Sequence, residues 1–277
     1  MLSPKDRWHI IKIRTDVETR MLTIKLASEE DLLSSATLRI FKDNPKFFQK
    51  VLTALEDSLK SNERMLDLGC GYGFTAKFLG DCLGFKEVYG IDVDDNRLGI
   101  AQERVNALKV DLETDQLPFP DDFFDMVISF GVLEHLRYYD TSVKEAYRVL
   151  RSGGIFFVNC PNLGAWVNRL LLLLGYQPRD VEISQCLAMG LPNAWPKTRR
   201  EAYGHIHSPT LKAISDLLRN YRFQIDATFG VACIDDSLSQ TAEADVFLKA
   251  LLRVLDKILS LRKGLSLRLF IVASKGS

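Results

Sequence analysis

Between residues 64 and 160 the chain alternates short apolar runs with stretches of helical spacing, and the first run breaks into a cluster of glycines. Arg64-Met65-Leu66-Asp67-Leu68 reads as a strand and Gly69-Cys70-Gly71-Tyr72-Gly73 as the turn after it, with a helix following through Ala76, Phe78 and Leu79. Residues 87–92, 107–111, 124–130 and 154–160 read as four further strands, with helices expected over 95–105 and 143–150. Strands separated by helices require crossover connections, which build a parallel sheet with helices on both faces. Ligands of such sheets lie beyond the carboxyl ends of the strands. Here those ends carry the glycine turn, Asp92, Asp111 and Phe130-Gly131.

The flanks are less regular. Trp8 to Ile13 and Met21 to Leu26 alternate like strands, and Asn44-Pro45 reads as an N-cap and first helical residue. After Pro161 the rhythm stops. An apolar helix is expected from Leu163 to Gly175, then an irregular stretch to Tyr203, so residues 161–205 read as an insertion over the site. Ser208-Pro209 reads as the start of the next helix, followed by a strand over 222–228, a helix over 246–261 and a last strand over 265–273.

Composition narrows the options. Of 277 residues, 36 are basic and 36 acidic, which argues against a dedicated nucleic-acid binder. The five cysteines are scattered with no CxxC pair, so neither a disulfide framework nor a zinc ribbon is indicated and a cytoplasmic compartment is expected. No secretory signal is expected at the N-terminus, and Leu170 to Leu174, the longest purely apolar run, is too short to span a bilayer.

The glycines allow tight turning and close backbone approach to a ligand. A dinucleotide fingerprint would read G-x-G-x-x-G; this turn reads G-x-G-x-G, with Asp67 two residues ahead, an acid poorly suited to a pyrophosphate and well suited to a cationic amine. Asp92 can accept from both hydroxyls of a ribose, and Asp111 is placed to receive the amine of an adenine. Amine, ribose diol and adenine together describe S-adenosylmethionine.

The segment Met65 to Phe74 resembles motif I of the Rossmann-like (class I) S-adenosylmethionine-dependent methyltransferases, and Val88-Tyr-Gly-Ile-Asp92 resembles their second acidic motif. Asp111 to Pro120, Phe124-Asp-Met-Val127, Val132-Leu-Glu-His-Leu136 and Glu145 to Gly154 are similar to the remaining motifs in order and spacing. Pro161 to Trp166 with Arg169 to Gly175 resembles the ubiquinone-biosynthesis and MetW-like branches. The resemblance implies an α/β fold with a doubly wound, mostly parallel seven-stranded sheet, its last strand antiparallel. It implies a methyltransferase domain over 61–277, with residues 1–60 a helical and extended segment packed on it. Carried across, Asp67, Gly69, Cys70, Gly71 and Gly73 would line the methionine and ribose, Asp92 would hold the ribose and Val93 would pack on the adenine. Asp111 and Leu112 would bracket the adenine from the other side, with Phe130 and Gly131 near the sulfonium.

Some relatives carry E-x-x-E-H after the fourth strand and bind a divalent cation there. This chain reads Gly131-Val-Leu-Glu134-His135, lacking the first acid, so no metal is expected. His135, His205 and His207 are the candidates for the catalytic base; the two in Tyr203-Gly-His-Ile-His-Ser-Pro209 read as surface or lid residues. The expected activity is methyl transfer to an oxygen, less readily a nitrogen or carbon, of a small-molecule, glycan or lipid-linked acceptor. The apolar helices with basic neighbours at 163–175 and 246–263 allow a peripheral membrane contact. The alternative is a methyltransferase-like binding or regulatory protein without turnover.

Overall fold

A computed structural model describes residues 36–192, 202–231 and 254–276. The strands expected at Trp8 to Ile13 and Met21 to Leu26, and most of the helix expected over 246–261, lie outside the described residues.

Two helices lead into the sheet, α1 (Ala36–Asp43) and α2 (Pro45–Ser58). Phe48, Val51, Leu52 and Leu55 recur at helical spacing along α2 and are all buried. Asn44 stands at the N-cap, but its side chain donates back to the Ile40 carbonyl at 3.1 Å, closing α1 rather than capping α2.

The sheet follows as β1 (Arg64–Leu68), α3 (Phe74–Leu83), β2 (Glu87–Asp92), α4 (Asp95–Ala101), β3 (Asn106–Lys109), β4 (Phe124–Phe130), α5 (Asp140–Val149) and β5 (Leu150–Pro161). The C-terminal part adds α6 (Trp166–Leu173), α7 (Leu211–Asn220), β6 (Phe223–Val231), a helical turn at 254–259 and β7 (Arg268–Lys275). The seven strands run in the order β3-β2-β1-β4-β5-β7-β6. Neighbours from β3 to β5 are parallel, and β7 lies antiparallel between β5 and β6. The order reverses at β1, so the crevice beyond its carboxyl end is where such a sheet takes a ligand.

Alternate residues of each strand feed two cores, one per face. Met65, Met126, Ile128, Phe157 and Phe270 join α1 to α3 on one side. Leu66, Val127, Phe156, Val158 and Ile271 join α5 and α7 on the other.

Several boundaries differ from the sequence reading. Strand β3 ends at Lys109, so Asp111 lies in the turn beyond it. Helix α4 stops at Ala101, and residues to Val105 continue as turns. Helix α6 is shorter than expected, and α7 begins two residues late. Its N-cap is Thr210, whose hydroxyl accepts from Ala213 N at 3.2 Å. Ser208 is buried instead, and the Pro209 carbonyl accepts from Leu163 N at 3.0 Å, so the Ser-Pro pair ties the chain to the segment just after β5.

Candidate active site

The crevice is built from the turn after β1. Gly69, Gly71 and Gly73 all have positive φ (70°, 54° and 79°), a region that costs a residue with a Cβ. A Cβ at Gly69 would stand 2.4 Å from Val132 Cγ2, so the turn can close on the loop after β4 only with glycine there. A Cβ at Gly71 would meet nothing within 4 Å, which leaves the backbone open on the side where a ligand would approach.

Asp92, at the end of β2, holds this turn. Its Oδ2 accepts from Gly71 N at 2.8 Å and its Oδ1 from Asp94 N at 3.0 Å. Asp67 is buried at the end of β1; burial first, then the negative charge of Asp92, holds its carboxyl well above the usual carboxylate range. The same burial and the same two acids push the Cys70 thiol up, so Cys70 is packed and not nucleophilic. Two buried acids side by side favour a cation beside them, and the open glycine cradle gives it access. These residues fit a sulfonium- and amine-bearing ligand.

Val93, next along, is 59% exposed, an apolar side chain left uncovered at the crevice rim. Asp111 accepts from Glu113 N at 2.9 Å through Oδ1, while its own N–H donates to Asp115 Oδ2 at 3.0 Å. It therefore sits in a self-bonded turn beside half-buried Leu112. Phe130, half-buried at the end of β4, sets its ring against Phe157, centroids 4.8 Å apart, and the chain turns at Gly131 directly after it.

The expected histidines come together with residues the sequence reading gave no chemical role. Leu133–His135 forms a 3-10 turn directly after Val132. The backbone carbonyl of Glu134 accepts from Ile206 N at 2.8 Å and His207 N at 3.2 Å, while the Glu182 carboxylate accepts from the N–H groups of Tyr203, Gly204 and His205. These bonds bring 203–207 onto the turn and set the His135 and His205 rings 4.9 Å apart.

The three histidines are not equivalent. His135 is exposed and its Nδ1 stands 3.2 Å from the Gly204 carbonyl; a carbonyl only accepts, so Nδ1 carries a proton and Nε2 is the nitrogen with the lone pair in the neutral ring. His207 is fixed in the other sense, its Nε2 donating to the Arg137 carbonyl at 2.9 Å. His205 was expected at the surface, yet it is 5% exposed. Burial lowers its pKa to about 4 against the smaller upward pull of Asp180, so it is neutral at pH 7.

Glu134 is fully buried and neither carboxyl oxygen accepts a hydrogen bond. Arg268 Nη1 lies 3.5 Å and His205 Nε2 4.0 Å from Oε1. Burial raises the Glu134 pKa, and the Arg268 charge works against that. Among the described residues no group of three or more His, Cys, Asp or Glu side chains has the arrangement of a metal site. Glu134 was visible in sequence beside His135, whereas Asp180 and Arg268 carry no local signal of their role.

The later part of the Asp111 to Pro120 motif and the start of the Glu145 to Gly154 motif hold one another. Arg148 Nη1 and Nη2 donate to the Phe119 and Leu117 carbonyls at 2.8 and 3.0 Å, and Glu145 Oε2 accepts from Leu117 N at 2.9 Å. The pair clamps the loop from β3 to β4, the loop that carries Asp111 and Leu112.

Sheet order, switch point and glycine turn define a doubly wound α/β protein of the Rossmann-like type. Residues 66–158 match the family described as methyltransferase domain, and this domain is a Rossmann-like S-adenosylmethionine-dependent methyltransferase domain, with S-adenosylmethionine as its cofactor. A probable S-adenosylmethionine-dependent methyltransferase of Mycolicibacterium smegmatis is 38% identical over 101 residues, 35% of this chain and 38% of that protein. A demethylmenaquinone methyltransferase of Geobacillus kaustophilus is 32% identical over 139 residues, 47% of this chain and 57% of that protein. The chain thus spans well under two thirds of these relatives. Among solved structures, the complex of the Haloferax volcanii Trm112 methyltransferase activator with a putative methyltransferase aligns at TM-score 0.53 and 15% identity, covering 91% of this chain and 100% of the other; it shares the fold.

Proposed function

We propose that this chain transfers a methyl group from S-adenosylmethionine to an oxygen of a small-molecule, glycan or lipid-linked acceptor. The observation that carries the proposal is the turn Gly131 to His135, which packs Val132 against the glycine loop and presents His135 Nε2 one turn away. The cofactor, when bound, supplies an activated methyl group on a cationic sulfur. In this reading Asp67 and the carbonyls of the glycine turn receive the methionine end, Asp92 the ribose diol, and Val93 with Leu112 the adenine faces. Asp111 receives the adenine amine, and Gly131 lines the transfer position.

His135 Nε2 takes the proton that the acceptor hydroxyl loses, and Gly204 holds the ring through Nδ1. Neutral His205 beside it adds no repelling charge to the imidazolium that forms. His207 orients the same segment from its other end. Residues 161–205 form the acceptor side of the domain, and a peripheral membrane contact belongs to the lipid-linked form of the proposal. The Geobacillus relative, named for demethylmenaquinone, supports an acceptor with an apolar tail.

The test is release of S-adenosylhomocysteine by the purified chain from a panel of hydroxyl acceptors. His135→Ala is expected to lower kcat about 10²–10⁴-fold with cofactor affinity unchanged. Full activity in that variant would remove His135 as the base. Tight cofactor binding without turnover on any class would favour a binding or regulatory protein.

A further inference from the structure

The insertion and the turn before β7 carry most of the large apolar side chains that the protein leaves exposed. Thirteen of the eighteen such residues among the described part lie between Leu170 and Ile206 or between Val254 and Leu261. From Leu170 to Leu174 only Leu171 is buried, and Leu173 is 81% exposed, so the end of α6 stands off the body. Scattered exposed leucines need no explanation, but a concentration of this kind does.

Backbone bonds make the surface continuous. Gln177 N donates to the Gly190 carbonyl at 2.8 Å, setting Met189 and Leu187 beside Tyr176, and Ala202 N donates to the Cys186 carbonyl at 3.2 Å. Tyr203 and Ile206 (58% and 49% exposed) then carry the apolar surface to the segment that holds His135. On the other flank Trp166 Nε1 donates to Asp256 Oδ1 at 2.7 Å, joining α6 to residues 254–259. Asp256 also receives Ser260 Oγ and is buried, so the outward stripe of that turn is Val254, Lys257, Ile258, Leu261 and Arg262, with Lys263 beside it. The outward charges there are all basic.

We infer that this surface docks on an anionic lipid bilayer, its leucines entering the headgroup region and Lys257, Arg262 and Lys263 meeting lipid phosphates. The bilayer then delivers an apolar-tailed acceptor past Tyr203 and Ile206 to the His135 turn. Apolar side chains flanked by bases suit a membrane surface, where each inserted leucine and each base adds to partition. A neutral protein partner would leave the bases without counterparts. The inference deepens the lipid-linked reading of the acceptor and rests on it.

The test is flotation of the full chain with vesicles of phosphatidylcholine alone and of phosphatidylcholine with about one third phosphatidylglycerol, at low and high salt. Binding is expected to the anionic vesicles and to weaken at least about tenfold in high salt, because exposed charges are screened. The double variant Leu172→Glu, Leu173→Glu is expected to lose at least about tenfold in partition. Lys257→Glu with Arg262→Glu is expected to abolish the preference for phosphatidylglycerol. Titration with S-adenosylmethionine should give the wild-type Kd in both variants, since neither touches the crevice, and shows that they are folded. No flotation of the wild type, or flotation indifferent to both variants, overturns the inference. So does a wild-type dimer in solution that Leu172→Glu, Leu173→Glu turns into a monomer, which would make the surface an interface between copies. Turnover of soluble acceptors without flotation defeats the bilayer inference alone. Flotation by a chain that binds no S-adenosylmethionine defeats the enzymatic reading alone.

Discussion

Replacing Asp92 by alanine tests the crevice at the residue with two duties. Its carboxylate accepts from Gly71 N and Asp94 N at 2.8 and 3.0 Å while only 8% exposed. Hydrogen bonds to a charged group contribute about 1.5–3 kcal/mol each, and stranding their donors has a cost of similar size. Two features reduce the loss. Gly71 is only half-buried, so its freed N–H can be hydrated, and removing the Asp92 charge relieves Asp67, whose carboxyl that charge drives up. A net destabilisation of about 2 kcal/mol follows, or roughly 4–8 °C in Tm for a domain of this size. Binding should suffer more. Two ribose hydroxyls lose a charged acceptor, which at about 1.5–3 kcal/mol each is a loss of 100-fold or more in affinity. Calorimetric titration with S-adenosylmethionine, paired with thermal melting, measures both. Asp92→Asn keeps one acceptor and nearly the same volume, so its Tm should lie close to wild type while its affinity falls. A Kd within threefold of wild type in a folded Asp92→Ala protein would refute the ribose assignment, and with it the placement of the cofactor along β2.

Gly69→Ala should lower both Tm and cofactor affinity, because the backbone is at φ 70° and the new Cβ would stand 2.4 Å from Val132 Cγ2. Adding Val132→Ala should restore part of the loss, as it removes the clash but not the strain of about 1–2 kcal/mol; full rescue or none would show that one of the two was misjudged. His205 should make stability depend on acid. Its folded value of about 4 lies below the free value of 6.5, so the folded chain binds fewer protons in that window, and stability present above pH 6.5 is lost as pH falls toward 4. Glu134, raised on folding, works in the opposite sense through the carboxylate range, so the His205 effect is read as the difference from His205→Gln; on the order of 2–3 kcal/mol should disappear between pH 7 and pH 4, and parallel curves would refute it.

The legible part of the molecule is the part whose causes are local. The short apolar runs of β1, β2 and β4 and the glycine spacing after β1 each follow from a few consecutive residues, and these elements stand where the pattern places them. Errors arise where a distant partner decides. Ser208-Pro209 has the chemistry of a helix start, but it is drawn into contact with Leu163, and Thr210 takes the cap. The turn after β3 starts early because Asp111 and Asp115 bond to the backbone near them and compete with the strand ladder. His205 looks like a surface residue in a polar loop. It is buried because the Glu134 carbonyl and the Glu182 carboxylate fix the backbone around it, a contact that no local pattern records. Arg268 is in the same position: it reads as one base in an alternating strand, and only the antiparallel insertion of β7 beside β5 brings it to Glu134.

The zero net charge of the whole chain is the sum of two surfaces with opposite demands. In the proposed reading a cationic cofactor is met at the strand ends by Asp67 and Asp92, which are buried where salt screens little. The cost is that burial and the Asp92 charge hold the Asp67 carboxyl up, so the crevice without its ligand is a source of instability that a bound cation relieves; ligand binding should therefore stabilise this fold beyond the contacts it adds. The surface of α6 and residues 254–263 places its bases outward, where their attraction to anything anionic is screened by salt. A chain that put its acids outside and its bases at the strand ends would have the same composition and could do neither. Salt thus separates the two: affinity for S-adenosylmethionine should change little between ionic strengths that abolish an electrostatic contact at the basic face.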